Sequence, residues 1–583
     1  MAIFEQQPVK KVVLDDTEPL TCVIENWRNV NGHTEFVIKV QRGPFSDKTW
    51  RVYKRYNDFY KLHNYLQTSG IALQLPPKKL IGNMDPEFIT ERQQGLQVGS
   101  ETDAKAIPTP SLFQKYLNSV LMNPILVSSL PARSFVDPAN YCQPFGELAL
   151  QHVSLALRGE VGWEVAGPVE EMGWRLRKHY YQIRCKASPK DELLGGWTDY
   201  GPDKYLDDKD MHALFKSLNQ IQHPFIHSIE LCLCTDIGGL VVRSNHKNGS
   251  LRDLICGAKP RQSFLKKYGN PKGHRPLEVS QVALYGRQIL EGLKFLMDKG
   301  LPYGHLHSGN VIIENDRVKL LDIENGILGV PSFYRPYFMQ HRKINTLQAV
   351  DVYCFGHTLY EMTFGAPLHE SVADNIPSCP SLLKSVLESI LSSEACKSGL
   401  PTIESLLNHK FFSSVVLNLL PEDKAHFKIP NSTKEHLKAA TIQMEERLKE
   451  EQKMVRSQKR LVKVQEMMSS EEEKKKQRHK LRHLAKEQQK QKNKAEKELQ
   501  NEKINGDRPD SVNSSTATSI GTATPPSMSG STVPSPPPPP PPPPLMSNGN
   551  GAAPLPVITK DRSALLGAIC NFNKTSLRKT KVN

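Results

Sequence analysis

Three short runs near the N-terminus, residues 20–27, 33–41 and 49–56, carry the spacing of apolar and polar positions expected of strands. Alternation is clearest in the second, where Phe36, Ile38 and Val40 share one face. In the third, Arg51, Tyr53 and Arg55 lie opposite Trp50 and Val52. The period then changes. Phe59, Leu62 and Leu66 recur at helical spacing, with Asn57 or Asp58 as the cap. Leu75-Pro76-Pro77 forces an extended turn before Lys78. A second helical pattern, from about Pro86, breaks over residues 98–114, which hold two prolines and no helical period. With that stretch removed, Leu96, Leu117, Val120 and Leu121 fall at i, i+4, i+7 and i+8, so it reads as an insertion into a helix.

Farther along, residues 281–300 (QVALYGRQILEGLKFLMDKG) space apolar positions as a long helix, followed by a loop ending in Asn310 and a β pair ending in Asp322. Residues 432–504 are mostly Lys, Glu, Gln and Arg with sparse Leu and Met. Glu–Lys pairs at i, i+4 predict a charged single helix there, without sustained heptads, and a solvated spacer is its plainest role. Residues 507–533, rich in Ser, Thr, Gly and Pro, predict disorder. Nine consecutive prolines, Pro536–Pro544, form a stiff extended rod. In the tail, Leu565, Leu566, Ile569 and Phe572 share one helical face ahead of an extended Leu577-Arg578-Lys579-Thr580.

At 583 residues the chain has room for two or three domains, and a hydrophobic content of 38% implies that part of it stays unfolded. The formal charge of +15 favours anionic partners, but the basic excess concentrates in 433–503 and 574–581 and says little about the folded domains. The ten cysteines form no CxxC pair, and Cys232 and Cys234 alternate as on a strand, which together point to a reducing, intracellular setting. The N-terminal stretch lacks the apolar run of a signal peptide, and nothing approaches the ~18 apolar residues of a spanning helix, so any membrane contact is expected to be peripheral.

The string RVYKRYNDFY at 51–60, followed by LPPKK at 75–79, in a strand–strand–strand–helix–loop order, resembles the phosphoinositide-binding PX domain. The resemblance implies that Arg55 holds the 3-phosphate of phosphatidylinositol 3-phosphate and Tyr56 packs on the inositol ring. Lys78 would hold the 1-phosphate and Arg92 would reach the ring hydroxyls. A solvated basic strand edge, with Tyr56 as ordinary core, is the alternative.

LVVRSNHKNGSLRDLI (240–255), LPYGHLHSGNVII, VKLLDIENG, DVYCFGHTLYEM (351–362) and LPTIESLLNHKFF (400–412) resemble, in order, the landmarks of a protein kinase. The chemistry that the resemblance would bring is altered. His305 stands at the base position and His307 at that of the catalytic-loop lysine. Asn310 and Asp322 keep the metal-ligand types, either to hold Mg·ATP or as a polar structural network. Glu324 replaces a glycine and is expected to repel nucleotide phosphate. No GxGxxG is present, only Gly167 and Gly173 in VAGPVEEMGWRL. No lysine is found on LLGGWTD (193–199), the strand expected to carry one, and Lys204 lies just beyond it. Both halves of the ion pair that usually anchors the activation segment are missing, with Leu400 at the arginine position. Losing one partner would strand a buried charge at about 3–5 kcal/mol, whereas losing both is tolerable. These substitutions predict a pseudokinase with no assigned catalytic residue and no required cofactor. The alternative is an endosome-targeted Ser/Thr kinase of weak activity, using His305 as base with Asn310 and Asp322 on magnesium.

The tail resembles the WASP-homology-2 actin-binding motif, which implies actin contacts from Leu565, Leu566, Ile569, Leu577, Arg578, Lys579 and Thr580. A tail helix packing on its own protein is the alternative. The sequence thus reads as a multidomain α+β chain: a PX domain of three-stranded sheet plus helices at 15–140, interrupted at 98–114, then a two-lobed kinase-like domain at 145–415. A charged helical segment (432–504), a disordered Ser/Pro-rich linker (505–556) and the WASP-homology-2-like motif (560–581) follow. Across essentially the full chain, the combination resembles kinase-like proteins that carry a PX domain. It implies a cytoplasmic scaffold, peripheral on early endosomes or the plasma membrane. Expected partners are phosphoinositide membranes, actin, profilin or SH3 modules at Pro536–Pro544, and cytoplasmic parts of membrane proteins. Nucleic acid is not among them.

Overall fold

The computed structural model describes residues 15–45, 47–77, 112–142, 144–169, 175, 177–271, 273–301, 303–421 and 423–502. The chain divides into two units, residues 1–459 and 460–583. In the first unit, β1 (Leu20–Val30), β2 (His33–Arg42) and β3 (Thr49–Arg55) form an antiparallel sheet in sequential order. α1 (Tyr56–Leu66) starts at Tyr56, ahead of the expected caps. Asp58 sits inside its first turn and accepts from the Arg55 N–H at 2.8 Å, closing the turn from within.

α2 (Leu112–Met122) packs beside β1, where the ladder slips between Ile24 and Asn26. Gln114 stitches that irregular stretch: its Oε1 accepts from the Ile24 N–H at 2.8 Å and its Nε2 donates to the Cys22 carbonyl at 2.7 Å. Residues 112–114 therefore belong to a helix, a correction to the insertion expected over 98–114. The rest of that insertion lies outside the described residues. Phe36, Phe59, Phe113 and Tyr116 knit sheet and helices into one core, Phe59 meeting Phe36 and Phe113 edge-on and Tyr116 at a tilt.

A second sheet follows, with β4 (Trp163–Pro168), β5 (Lys178–Cys185), β6 (Leu193–Asp199), β7 (Leu231–Cys234) and β8 (Gly238–Ser244) antiparallel in the order β4-β5-β6-β8-β7. α3 (Phe145–Leu157) covers one face, burying Ala149, Val153 and Leu157 against Tyr181, Ile183 and Trp197. α4 (Asp208–Leu218) turns Met211, Leu214, Phe215 and Leu218 into the other core. Below lie α5 (Leu251–Cys256), α6 (Phe264–Tyr268), the long α7 (Val279–Asp298), the β9 (Val311–Glu314)–β10 (Arg317–Leu320) pair and α8 (Leu347–Phe364). α7 packs on α8 and, more tightly, on the turn of helix at Lys410–Ser413: a Cβ at Gly286 would lie 2.6 Å from Phe412.

The two modules share residues. Leu265 of α6 is 5% exposed and belongs to the core of the N-terminal sheet module. A Cβ at Gly269 would come within 2.6 Å of Ser69, and Asn270 Nδ2 donates to the Gly70 carbonyl at 3.0 Å.

The charged region is one helix, α9 (Asn431–Glu502), and its part up to Lys459 is no solvated spacer. Leu437, Ala440 and Leu448 join the helical core, and Gln452 donates to the carbonyls of Ile344 at 2.8 Å and Phe338 at 3.3 Å. Arg335 gathers Asp15 at 3.0 Å, Asp203 at 2.8 Å and Glu451 of α9.

Candidate functional site

Strand alternation builds the cleft between the second sheet and the helices. Lys178, Tyr180 and Gln182 point from β5 into a cavity of about 710 Å³, while Tyr181 and Ile183 face the opposite core. Leu194 and Gly196 of β6, Val241 and Arg243 of β8, and Asn310, Ile312, Leu321, Asp322 and Glu324 below complete its wall.

Lys178 is the residue that the sequence reading missed. Its Nζ lies 2.6 Å from Asp322 Oδ2 and 3.4 Å from Asn325 Oδ1, so the lysine expected on β6 is supplied by β5. Gly196 of β6 lies alongside it: a Cβ there would touch Lys178 Cε at 3.5 Å, an ordinary contact. Lys204 points elsewhere, to Asp208. Burial opposes the charge of Asp322, but Lys178 and then Arg243 outweigh it and hold this carboxyl below its usual range. Asp322 also adopts a left-handed backbone, φ 58°.

Glu324 does not project free charge into the cleft, which corrects the expectation of phosphate repulsion. Arg243 grips it bidentately at 2.7 and 3.1 Å, with the arginine 8% and the glutamate 2% exposed. A second buried pair, Arg252 to Glu361 at 3.1 Å, also holds the Ser308 hydroxyl at 2.7 Å through the other carboxylate oxygen. It fixes the loop before Asn310 from below.

His305 is 3% exposed and does not line the cavity. Burial, then the charges of Arg175 and Lys178, push its pKa far below the ordinary value near ~6.5, so it stays neutral. The geometry therefore gives no support to a base facing a substrate. His307 lines the cavity, accepts from the Gly309 N–H at 3.1 Å and lies against Phe333, with its pKa likewise pushed down by burial. Asn310 donates to the His305 carbonyl at 3.0 Å. Asp351 accepts from the Gly304 N–H at 2.7 Å, and burial raises its carboxyl to about 7.

Magnesium fits these residues poorly. Oδ2 of the one carboxylate retained at a metal-ligand position already receives Lys178 and, at 3.5 Å, Asn325 Nδ2. Among the described residues no cluster of three or more His, Cys, Asp or Glu is arranged to hold a metal.

On the N-terminal module, Arg55 ends β3 with its side chain 49% exposed, sharing Glu35 with Arg28 at 3.3 and 3.0 Å. Tyr56 donates its hydroxyl to the Pro76 carbonyl at 2.8 Å and packs edge-on to Phe113, tying the start of α1 to the proline loop. Lys78, Arg92, the polyproline rod and the tail residues 565–580 lie outside the described residues. No described helix is long and apolar enough to cross a membrane.

A PX-domain family profile matches residues 42–139, the part of the sheet module from the end of β2 onward. A mouse PX domain-containing protein kinase-like protein is 48% identical over 466 residues, covering 80% of this chain and 77% of the relative. The Slowpoke-binding protein of Drosophila melanogaster is 32% identical over 302 residues, 47% of this chain and 57% of its own. A Dictyostelium discoideum protein named a probable inactive serine/threonine-protein kinase is 29% identical over 291 residues, 44% and 48% of the two chains. With nearly half its residues identical over most of both chains, and a PX profile on its N-terminal module, this protein belongs to the family of PX domain-containing protein kinase-like proteins.

Proposed function

We propose that the protein is a peripheral membrane scaffold whose kinase-like domain binds other proteins and transfers no phosphoryl group. One observation carries the silent-enzyme reading: the residue at the base position, His305, is sealed at 3% exposure outside the cavity, where no substrate hydroxyl reaches it. Membrane recruitment rests on the PX module. The exposed Arg55 at the end of β3 and the Tyr56–Pro76 bond at the start of α1 support a phosphoinositide headgroup site, to which the sequence adds Lys78 and Arg92. The tail sequence supports actin binding through Leu565, Leu566, Ile569 and Leu577–Thr580, and the rod at Pro536–Pro544 supports profilin or SH3 modules. The similarity to a protein named for binding Slowpoke supports a protein partner, which we read as the cytoplasmic part of a membrane protein, and the PX module supports endosomes as the site of action.

Two measurements test this. The full chain should sediment with vesicles containing phosphatidylinositol 3-phosphate, and Arg55→Ala should weaken that at least tenfold. It should also fail to transfer labelled γ-phosphate to itself or to a basic substrate protein with magnesium or manganese. Equal binding by the variant overturns the membrane reading. Transfer that Asp322→Asn abolishes overturns the scaffold reading.

A further inference from the structure

The charge arrangement of the cleft says what it can hold. In a phosphotransferase of this fold, unanswered carboxylates call for a divalent metal, which then bridges to phosphate. Here the carboxylates are answered from within. α4 contains no glutamate to compete for Lys178, so that ammonium goes to Asp322 at 2.6 Å. Glu324, the added acid, is taken by both terminal nitrogens of Arg243. The base position is a neutral, sealed imidazole. A divalent ion on Asp322 would sit beside the Lys178 ammonium, three positive charges against one carboxylate.

What remains is suited to an anion. The lining holds seven Lys and Arg against four Asp and Glu. Two of the seven are answered from behind the wall, Arg252 by Glu361 and Arg175 by Asp16, which leaves one positive charge in excess. A polar atom also waits there. Arg243 Nε is buried without a hydrogen-bond partner among the described residues, on a side chain nine-tenths buried at the cavity wall. His246 Nε2, on the same wall, is likewise without one. Lys178 has three donors, and its partners here, Asp322 Oδ2 and Asn325 Oδ1, account for two. Leu194 and Val241 on one side and Ile312 and Leu321 on the other give the 710 Å³ space apolar walls for a flat ring.

We propose that the cleft binds a nucleoside polyphosphate as the metal-free anion, with the phosphates against Lys178 and Arg243. This deepens the scaffold reading and rests on it: the site keeps a ligand and has lost the metal needed for transfer. The test is titration calorimetry and thermal shift of the full chain with ATP in excess EDTA, then in excess magnesium. The expected result is binding in EDTA that weakens several-fold once magnesium captures the nucleotide. The charge-conserving double variant Lys178→Gln with Asp322→Asn should bind at least tenfold more weakly while its circular dichroism stays native. Nucleotide held by the basic PX surface would survive that variant and would overturn the assignment. So would binding that appears only with magnesium, or no binding at all. Inorganic triphosphate binding as tightly as ATP would overturn the nucleoside part. Phosphoryl transfer, the failure of the scaffold reading, shows instead as metal-dependent loss of γ-phosphate, so the two failures are distinguishable.

Discussion

Lys178 Nζ lies 2.6 Å from Asp322 Oδ2, both side chains largely buried, and this contact joins the second strand of the sheet to the segment below the cleft. Removing one partner of such a pair leaves an uncompensated charge, whereas removing both is far milder. Lys178→Met should therefore destabilise the kinase-like domain by about 3–5 kcal/mol, and adding Asp322→Asn should restore most of that. Thermal unfolding of the full chain reads it. Additive effects of the two substitutions would mean that the pair is not coupled.

Leu265 argues that the PX module is completed by its neighbour. The side chain comes from α6 of the kinase-like domain yet packs in the PX core. Leu265→Ala should cost the PX module about 2–4 kcal/mol, within the range for a buried leucine truncated in place. Hydrogen exchange locates the loss. Protection should fall along β2 and α1 and hold along α7, and an unchanged β2 would show that the PX core closes without α6.

The elements of both modules were legible because their apolar periods are local: Phe36, Ile38 and Val40 mark a strand and Phe59, Leu62 and Leu66 a helix without outside information. The cleft was legible only where a motif names positions. Asn310 and Asp322 stand where spacing puts them, but Lys178 was hidden because the expected lysine was sought one strand later. The signal that could have found it is a pair: a small Gly196 on the expected strand, and a lysine on the face of β5 shared with Tyr180 and Gln182. Arg243 and Glu324 were each in view, but 81 residues separate them and only the fold shows that they meet. The packed part of α9 escaped for another reason. Its buried positions, Thr433, Leu437, Ala440, Leu448 and Gln452, include two polar residues, so the stripe is diluted in a Lys- and Glu-rich background.

That stripe makes a prediction of its own. Leu448 is buried against the helical core, and Leu448→Asp would place an unpaired carboxylate there. The first part of α9 should detach, lowering the melting temperature of the kinase-like domain and exposing residues 431–459 to limited proteolysis. An equivalent change at the exposed Ile442 should do neither. Wild-type protection in Leu448→Asp would show that the helix is held by Arg335, Arg447 and their carboxylates alone.

Asp351 gives a pH dependence with a definite sign. Burial raises its folded pKa to about 7, against the Gly304 N–H that lowers it, while in the unfolded chain an aspartate titrates near ~3.9. Between those values the native state keeps a proton that the unfolded chain has lost. Stability from this group is therefore present at low pH and is lost as pH rises towards 7, by at most about 1.4 kcal/mol per unit. Asp351→Asn is neutral throughout, and its Oδ1 can still accept from Gly304. Its melting temperature should gain on wild type as pH climbs from about 4 to 7 and hold a constant lead above that. His305 and His307, with folded pKa values pushed down, lose stability as pH falls below ~6.5, the opposite slope. They are common to both proteins and cancel in the difference. A difference that stays flat across pH 4 to 8 would mean that Asp351 is ionised in the native state, stabilised by donors beyond Gly304.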